Sequence, residues 1–359
     1  MTTSDASISP VRPPVEVVPD TLDGIDLTDS VLVRRLLEVH QMSPARPSVA
    51  VVIPCYNEEA AIAKVVADFS AALPDATIHV FDNNSDDRTA EVATAAGAVV
   101  HFVKARGKGN VVRRMFADVE ADVFLMVDGD DTYQASAAPH LVHRLTQSDV
   151  DMVVGQRITA QPDGEEYRSG HQLGNAAFTR LYNVLFQTEF EDVFSGYRAM
   201  TRRFVKSFPA TTSGFDIETE LIVHAAELRV EVDEIPTSYT ARPEGSTSKL
   251  STYKDGWRIF SSAIRLYRDI APVKFFGSLA ALCTIAAWAI GIPIITDFIE
   301  TGLVEKFPSA FLAASLQIIA LVLVTAGLVI NAVEQVSREQ RLLAYLATPR
   351  PLPTSLDGD

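Results

Sequence analysis

Cysteine is scarce: two residues in 359, Cys55 at the end of an apolar run and Cys283 inside a long apolar stretch. Their settings argue against pairing, and neither falls in a CxxC or Cys/His cluster, so neither a disulfide scaffold nor a structural zinc site is indicated. Positive charge is also short, with 31 Lys and Arg against 46 Asp and Glu and a formal net charge of -15. That balance argues against a nucleic-acid backbone as partner, although local arginines and lysines still permit an anion pocket. The first twenty residues lack a basic stretch followed by an apolar core. They are not read as a signal peptide, and the domain that follows is expected to stay in the cytosol. A repeat of fixed period is absent too.

What is present changes character along the chain. Residues 1–24 carry Pro10, Pro13, Pro14 and Pro19 among small and acidic residues and read as disordered. Leu27–Gln41 suggests one short helix capped by Asp29 or Ser30. From residue 48 apolar strands alternate with amphipathic helices. VAVVIP leads to a helix Glu58–Ala72; TIHVFD to a helix from Asp87; AVVHFV to a helix after Gly109; VFLMVD follows. This alternation predicts an α/β domain with a largely parallel sheet. Further on come MVVG, a helix around Gly174–Phe186, a strand FSGYRAM, a helix Asp216–Leu228, a strand Val230–Tyr239 and a polar loop at 241–251.

Two uncharged stretches follow, Phe275–Thr296 and Ser309–Val333. The shorter, at about 22 residues, gives roughly 33 Å of helix, enough to cross a bilayer. The turn between them holds Asp297, Glu300 and Glu305 against Lys306, whereas Arg258, Arg265, Arg268, Lys274, Arg338 and Arg341 flank the outer ends. The positive-inside rule puts both termini and the catalytic domain in the cytoplasm of a two-span membrane protein. Tyr253–Ile270, with Trp257, Ile259, Phe260, Ile264 and Leu266 among arginines, suits an interfacial helix. The expected division is therefore 1–46, an extension; 47–250, the catalytic domain; 251–271, a juxtamembrane helix; 272–335, two spans; and 336–359, a cytoplasmic tail.

Four motifs lie at the carboxyl ends of expected strands, where ligands bind in open α/β sheets. They are PCYNEE (54–59), DNNSDD (82–87), RGKGN (106–110) and VDGDD (127–131). Asp128 and Asp130 form an i, i+2 carboxylate pair, which suits Mg2+ or Mn2+ with diphosphate oxygens filling the remaining positions. An isolated DxD is more often a solvated turn; the apolar strand before it, with PCYNEE and DNNSDD at earlier strand ends, reverses those odds. Asp82 and Asp87 read either as turn formers or as carboxylates for a base and ribose hydroxyls. GKGNVV lacks the third glycine of GxGxxG and the spacing of a P-loop, which disfavours a dehydrogenase or NTPase.

These motifs in this order resemble the family 2 glycosyltransferases of GT-A fold. SGYRAM, GFDIETEL and RPEGSTSKL narrow the resemblance to the polyprenyl-phosphate sugar transferases, the dolichyl-phosphate mannose synthase-like and bacterial prenyl-phosphate glucosyltransferase-like enzymes. It covers about residues 48–250, plus a two-span anchor. The resemblance implies that Pro54, Tyr56, Asn57, Glu58, Asp82, Asp87, Lys108 and Asp128 line the nucleotide-sugar pocket. Asp128 and Asp130 would hold the metal, and Thr132 stands where some relatives add a metal-binding glutamine. It further implies that Arg157, Ser195 and Arg198 meet the acceptor phosphate, with Arg168 as a second acceptor arginine. Arg242 and Lys249, beside Ser246 and Ser248, would close over the donor diphosphate.

The activity expected from this resemblance is transfer of one hexose from a nucleotide sugar to polyprenyl phosphate, with inversion. UDP-glucose is placed first, ahead of UDP-N-acetylglucosamine, UDP-galactose and GDP-mannose. Asp130, Arg157, Ser195 and Arg198 are the expected catalytic group; homo-oligomerisation is left open. A processive polysaccharide synthase is disfavoured because the Trp–Arg neighbour in DGWRI has the wrong order for QxxRW. A catalytically dead membrane scaffold is disfavoured by the intact aspartate pair and loop cations.

Overall fold

The computed structural model describes residues 21–22, 25–26, 46–159, 179–180, 190–211, 217–240, 264, 267–269 and 271–350. The expected helix at 27–41, most of those at 174–186 and 253–270, Arg168, and the loop with Arg242, Ser246, Ser248 and Lys249 lie outside the described residues. Contacts divide the chain into two units, Met1–Arg46 and Pro47–Asp359. In the first, Thr21–Leu22 pairs antiparallel with Ile25–Asp26.

The second unit is built on a seven-stranded mixed sheet. Its strands are β1 (Val49–Cys55), β2 (Thr77–Asp82), β3 (Val99–Phe102), β4 (Val123–Met126), β5 (Met152–Thr159), β6 (Arg198–Thr201) and β7 (Val232–Tyr239). The order across the sheet is β3-β2-β1-β4-β6-β5-β7. All neighbours are parallel except β6, which runs antiparallel to β4 and β5. The reversal has a consequence for function. The carboxyl ends of β1, β2, β4, β5 and β7 face one edge, and the chain entering β6 starts at that same edge.

The strands are β-branched and apolar because both faces are covered. In β1, Val51 and Ile53 face one core and Ala50 and Val52 the other. Helices α1 (Ile62–Ala72), α2 (Thr89–Ala95) and α4 (Ala138–Gln147) lie on the first side; α3 (Lys108–Asp118), α5 (Arg202–Ser207) and α6 (Ile217–Leu228) lie on the second. Helix α1 shows the cause plainly: Ile62, Val65, Val66 and Phe69 are buried at helical spacing. Each such side chain contributes about 1.5–3 kcal/mol by burial. The helix starts at Ile62 rather than Glu58, because Asn57 has a left-handed φ of 55° and the Glu58 carbonyl closes a turn onto Ala61 and Ile62. The expected strand FSGYRAM is extended only from Arg198. Ahead of it, the Ser195 hydroxyl and Tyr133 accept the N–H groups of Tyr197 and Gly196 that a strand would have paired.

Two apolar helices complete the unit: α7 (Pro272–Thr301) and α8 (Phe307–Ala347), both long and apolar enough to cross a membrane. They pack as a hairpin. Gly327 permits the approach, since a Cβ there would stand 3.0 Å from Phe276 Cβ and 3.3 Å from the Pro272 carbonyl. Helix α8 does not stop at the end of its apolar stretch. It continues as a polar extension that docks on the catalytic domain. Arg338 and Arg341 pair with Glu227 of α6 at 3.2 and 3.0 Å, and Tyr345 donates to Asp151 at 2.7 Å. Just past the helix, Arg350 donates to the Val150 carbonyl at 3.1 Å and pairs with Asp149.

Candidate active site

The loops after β1 and β2 are tied to one another. Asn57 N–H donates to Ser85 Oγ at 2.9 Å and its Oδ1 accepts from the Asp86 N–H at 2.8 Å. The Glu58 N–H donates to Thr89 Oγ1 at 2.9 Å. The Asp87 carboxylate accepts from the Glu59 and Thr89 N–H groups at 3.1 and 2.9 Å. Burial alone would raise the Asp87 pKa, but these hydrogen bonds prevail and hold it below the usual carboxylate range. The Asp87 carboxylate, expected to face the nucleotide, fastens this loop pair. Tyr56 donates to Asp86 at 3.4 Å and carries the Arg106 guanidinium 5.2 Å from its ring centre.

Asp82 ends β2 at 3% exposure. Its Oδ2 accepts from the Ser85 N–H at 3.3 Å, while Oδ1 is buried with no hydrogen-bond partner among the described residues. A buried acceptor left unsatisfied costs about 1–3 kcal/mol, and such an atom at a strand end is suited to an incoming N–H donor. Next to it, Asn83 bridges β2 to the basic-glycine loop. It donates to the carbonyls of Val103 and Ala105 at 3.2 and 2.7 Å and accepts from the Gly107 N–H at 2.7 Å.

Lys108 begins α3 and is held between two carboxylates, Asp128 at 2.6 Å and Glu218 at 2.5 Å. Burial opposes its charge, yet both carboxylates drive its pKa well above the ordinary lysine value. Asp128 sits just past β4, its Oδ2 packed on Gly196, where a Cβ would overlap the carboxylate. Asp130 is nearly buried, and its Oδ1 accepts from Thr132 Oγ1 at 2.6 Å. Asp131 turns away to Lys64 at 2.8 Å, with a left-handed φ of 58°. Among the described residues no group of three or more His, Cys, Asp or Glu is placed to hold a metal. Two carboxylates whose set is completed by phosphate oxygens is nevertheless how magnesium is commonly bound, so the donor set fits.

Arg157 lies near the end of β5 in a bidentate pair with Asp192. Ser195 and Arg198 are both fully buried. Ser195 Oγ donates to the Gly155 carbonyl at 2.6 Å, and Arg198 donates to the carbonyls of Ser195 and Val193 at 2.9 and 2.7 Å. These bonds shape the 193–197 turn that enters β6 at the same edge of the sheet. Sequence reasoning missed Glu218, although GFDIETEL contains it. It also missed Asp192, just ahead of the quoted FSGYRAM motif, and the Tyr133–Tyr239 pair, whose ring centres are 5.2 Å apart.

A mixed sheet that gathers paired carboxylates, a buried lysine and an acidic strand end at one edge is the GT-A arrangement of sugar transferases. The comparisons agree. Residues 50–208 match the family described as Glycosyl transferase family 2. Protein RfbJ of Shigella flexneri is 59% identical over 35% of this chain and 96% of its own length. The dolichyl-phosphate hexose transferase of Haloferax volcanii is 30% identical over 60% of this chain and 92% of its own. Glucosyl-3-phosphoglycerate synthase from Mycobacterium tuberculosis, solved with uridine diphosphate, superposes with a TM-score of 0.50 at 20% identity, covering 62% of this chain and 81% of that one. The chain belongs to glycosyltransferase family 2, with a catalytic domain of GT-A fold.

Proposed function

We propose that the protein transfers one hexose from a nucleotide diphosphate sugar, UDP-glucose first, to the phosphate of a polyprenyl lipid. The observation that carries this is a juxtaposition. The edge bearing Asp82, Asp128, Asp130 and Arg157 belongs to a domain hydrogen-bonded directly to an apolar hairpin through Tyr345 and Asp151. A dolichyl-phosphate hexose transferase among the relatives supports the same acceptor class.

In this reading the orphaned Asp82 Oδ1 accepts an N–H of the base, and Lys108 places positive charge beside the diphosphate. Asp128 and Asp130 would hold Mg2+ or Mn2+, which supplies charge to stabilise the departing nucleoside diphosphate. Arg157 orients the lipid phosphate. A phosphate oxygen forms the new bond to the anomeric carbon as the bond to the diphosphate breaks on the opposite face, giving inversion. Arg168, Arg242 and Lys249 remain proposed phosphate ligands on the strength of the family resemblance.

Both outer ends of the hairpin lie on the catalytic side, because α8 returns to that domain. With the arginines at those ends, this supports a cytoplasmic catalytic domain and an external segment at about 297–308. An impermeant thiol reagent applied outside intact cells should label a cysteine at position 300 but not one at exposed position 91; the reverse pattern would refute the orientation. The deciding test of function is incubation of the purified protein with a panel of nucleotide sugars and polyprenyl phosphate, followed by mass spectrometry of the lipid. A hexosyl-phosphate lipid is expected. Failure of every donor to yield one would overturn the proposal.

A further inference from the structure

Arg157 is held more firmly than a surface cation. Asp192 Oδ2 accepts from the Arg157 backbone N–H at 3.1 Å and from Nε at 2.7 Å, while Oδ1 accepts from Nη2 at 2.7 Å. The guanidinium also lies 5.6 Å from the ring centre of Tyr239. Asp192 is itself anchored: its N–H donates to Glu234 Oε1 at 3.0 Å, and the Glu191 N–H donates to Oε2 at 2.7 Å. Only 17% of the Arg157 side chain and 12% of the Asp192 side chain are exposed. Burial alone would lift the Asp192 pKa, but the hydrogen bonds and charge of Arg157 prevail and hold it below the ordinary carboxylate range.

A flexible arginine loses up to about 2 kcal/mol of rotamer freedom when it grips a ligand. One already fixed by a carboxylate fork and a ring face loses little. We propose that Asp192 is a positioning residue: its fork on Nε and Nη2 fixes the Arg157 guanidinium in the orientation that receives the acceptor phosphate, with Glu234 holding the 191–192 turn behind it. This rests on the assignment of Arg157 to the acceptor made above.

The test is steady-state kinetics of the full-length protein in wild-type form, as Arg157→Ala, as Asp192→Ala and as the double variant. Each single substitution should raise the KM for polyprenyl phosphate about tenfold, equivalent to about 1.4 kcal/mol, with the donor KM little changed. The double variant should be no worse than Arg157→Ala, because residues acting through one contact are not additive. Should Asp192→Ala not fold, Asp192→Asn keeps the shape and one acceptor oxygen, and a smaller rise in the same KM is expected. A normal lipid KM in both Asp192 variants, beside a raised one in Arg157→Ala, would overturn the positioning role alone. So would a double variant whose loss equals the product of the singles. An unchanged lipid KM in Arg157→Ala would instead remove the acceptor assignment, and this proposal with it.

Discussion

Tyr345, near the end of the second apolar helix, donates a 2.7 Å hydrogen bond to Asp151, which immediately precedes β5. Asp151 is a hub. It also accepts from Thr201 Oγ1 at 2.6 Å and from the Arg203 guanidinium at 2.6 and 2.7 Å, while Arg203 lies 4.7 Å from the centre of the Tyr345 ring. One buried carboxylate thus joins the strand carrying Arg157, helix α5 and the apolar hairpin. Tyr345→Phe leaves Arg203 and Thr201 on Asp151, so the loss should be a single charge-assisted bond, about 1–2 kcal/mol. Asp151→Ala strands Arg203 and should lose about 3–5 kcal/mol. Chemical denaturation in detergent measures both. Equal stability of all three proteins would mean that the extension merely rests on the domain.

His224 gives the same interface a pH dependence. It is buried between the rings of Phe204 and Phe208, with Nε2 2.9 Å from Ser207 Oγ, and Nδ1 has no hydrogen-bond partner among the described residues. Burial, helped by the positive charge of Arg341, pushes its pKa down to about 3. The unfolded chain, with a histidine pKa near 6.5, therefore binds the proton first as pH falls. Stability is full above about pH 6.5 and declines below it, by on the order of a few kcal/mol over the whole range. The melting temperature should fall between pH 7.5 and pH 5, and His224→Phe should flatten that decline. Some slope should persist, because burial and His101 also lower the pKa of His79. A variant with the wild-type slope would contradict the assignment.

Legibility in the sequence followed the range of the forces. Strands such as VAVVIPC and VFLM declare themselves through continuous apolar runs, and α1 through its 3.6-residue spacing, because local burial dictates both. The carboxylate pair Asp128 and Asp130 was visible because i, i+2 residues after a strand are local as well. The partners were not. Asp192 meets Arg157 from 35 residues away, and Glu218 closes on Lys108 only once α6 packs beside α3. Arg198 shows the same limit: its guanidinium satisfies two carbonyls in a fully buried turn, contacts that the motif SGYRAM does not reveal. The docking of the polar extension of α8 was not legible either, because its contacts with Glu227 and Asp151 are all tertiary.

The two aspartates of the DGDD turn should behave unequally. Asp128 is engaged by Lys108 through Oδ1 and packed on Gly196 through Oδ2. Asp130 is anchored at Oδ1 by Thr132 on its own turn. Asp130→Asn should lower transfer by about 10²–10³-fold, in the range of losing one transition-state charge contact, and should weaken Mn2+ binding followed by electron paramagnetic resonance. Asp128→Asn should do less to metal affinity. Full turnover in excess chelator would rule out the metal reading outright.

The carboxylates near the acceptor side bear on how the nucleophile is activated. Most inverting sugar transfers need a base to take a proton from a hydroxyl, and losing it costs about 10²–10⁴-fold. A lipid phosphate has a second pKa near 6 and is largely a dianion at neutral pH, so its oxygen is already a nucleophile. The geometry suits that alternative. Asp131, nearest in sequence to the metal pair, is committed to Lys64 at 2.8 Å, and Asp192 is committed to Arg157. A carboxylate neutralised by a bound cation is a poor proton acceptor, and an unpaired one beside the phosphate would repel it. The acidic limb of the pH–rate profile should therefore track ionisation of the acceptor phosphate. Asp131→Asn should retain that limb and turn over within about tenfold of wild type, well short of the loss of a general base. A profile whose acidic limb disappears in Asp131→Asn, with donor, lipid and metal affinities intact, would show that Asp131 removes a proton after all.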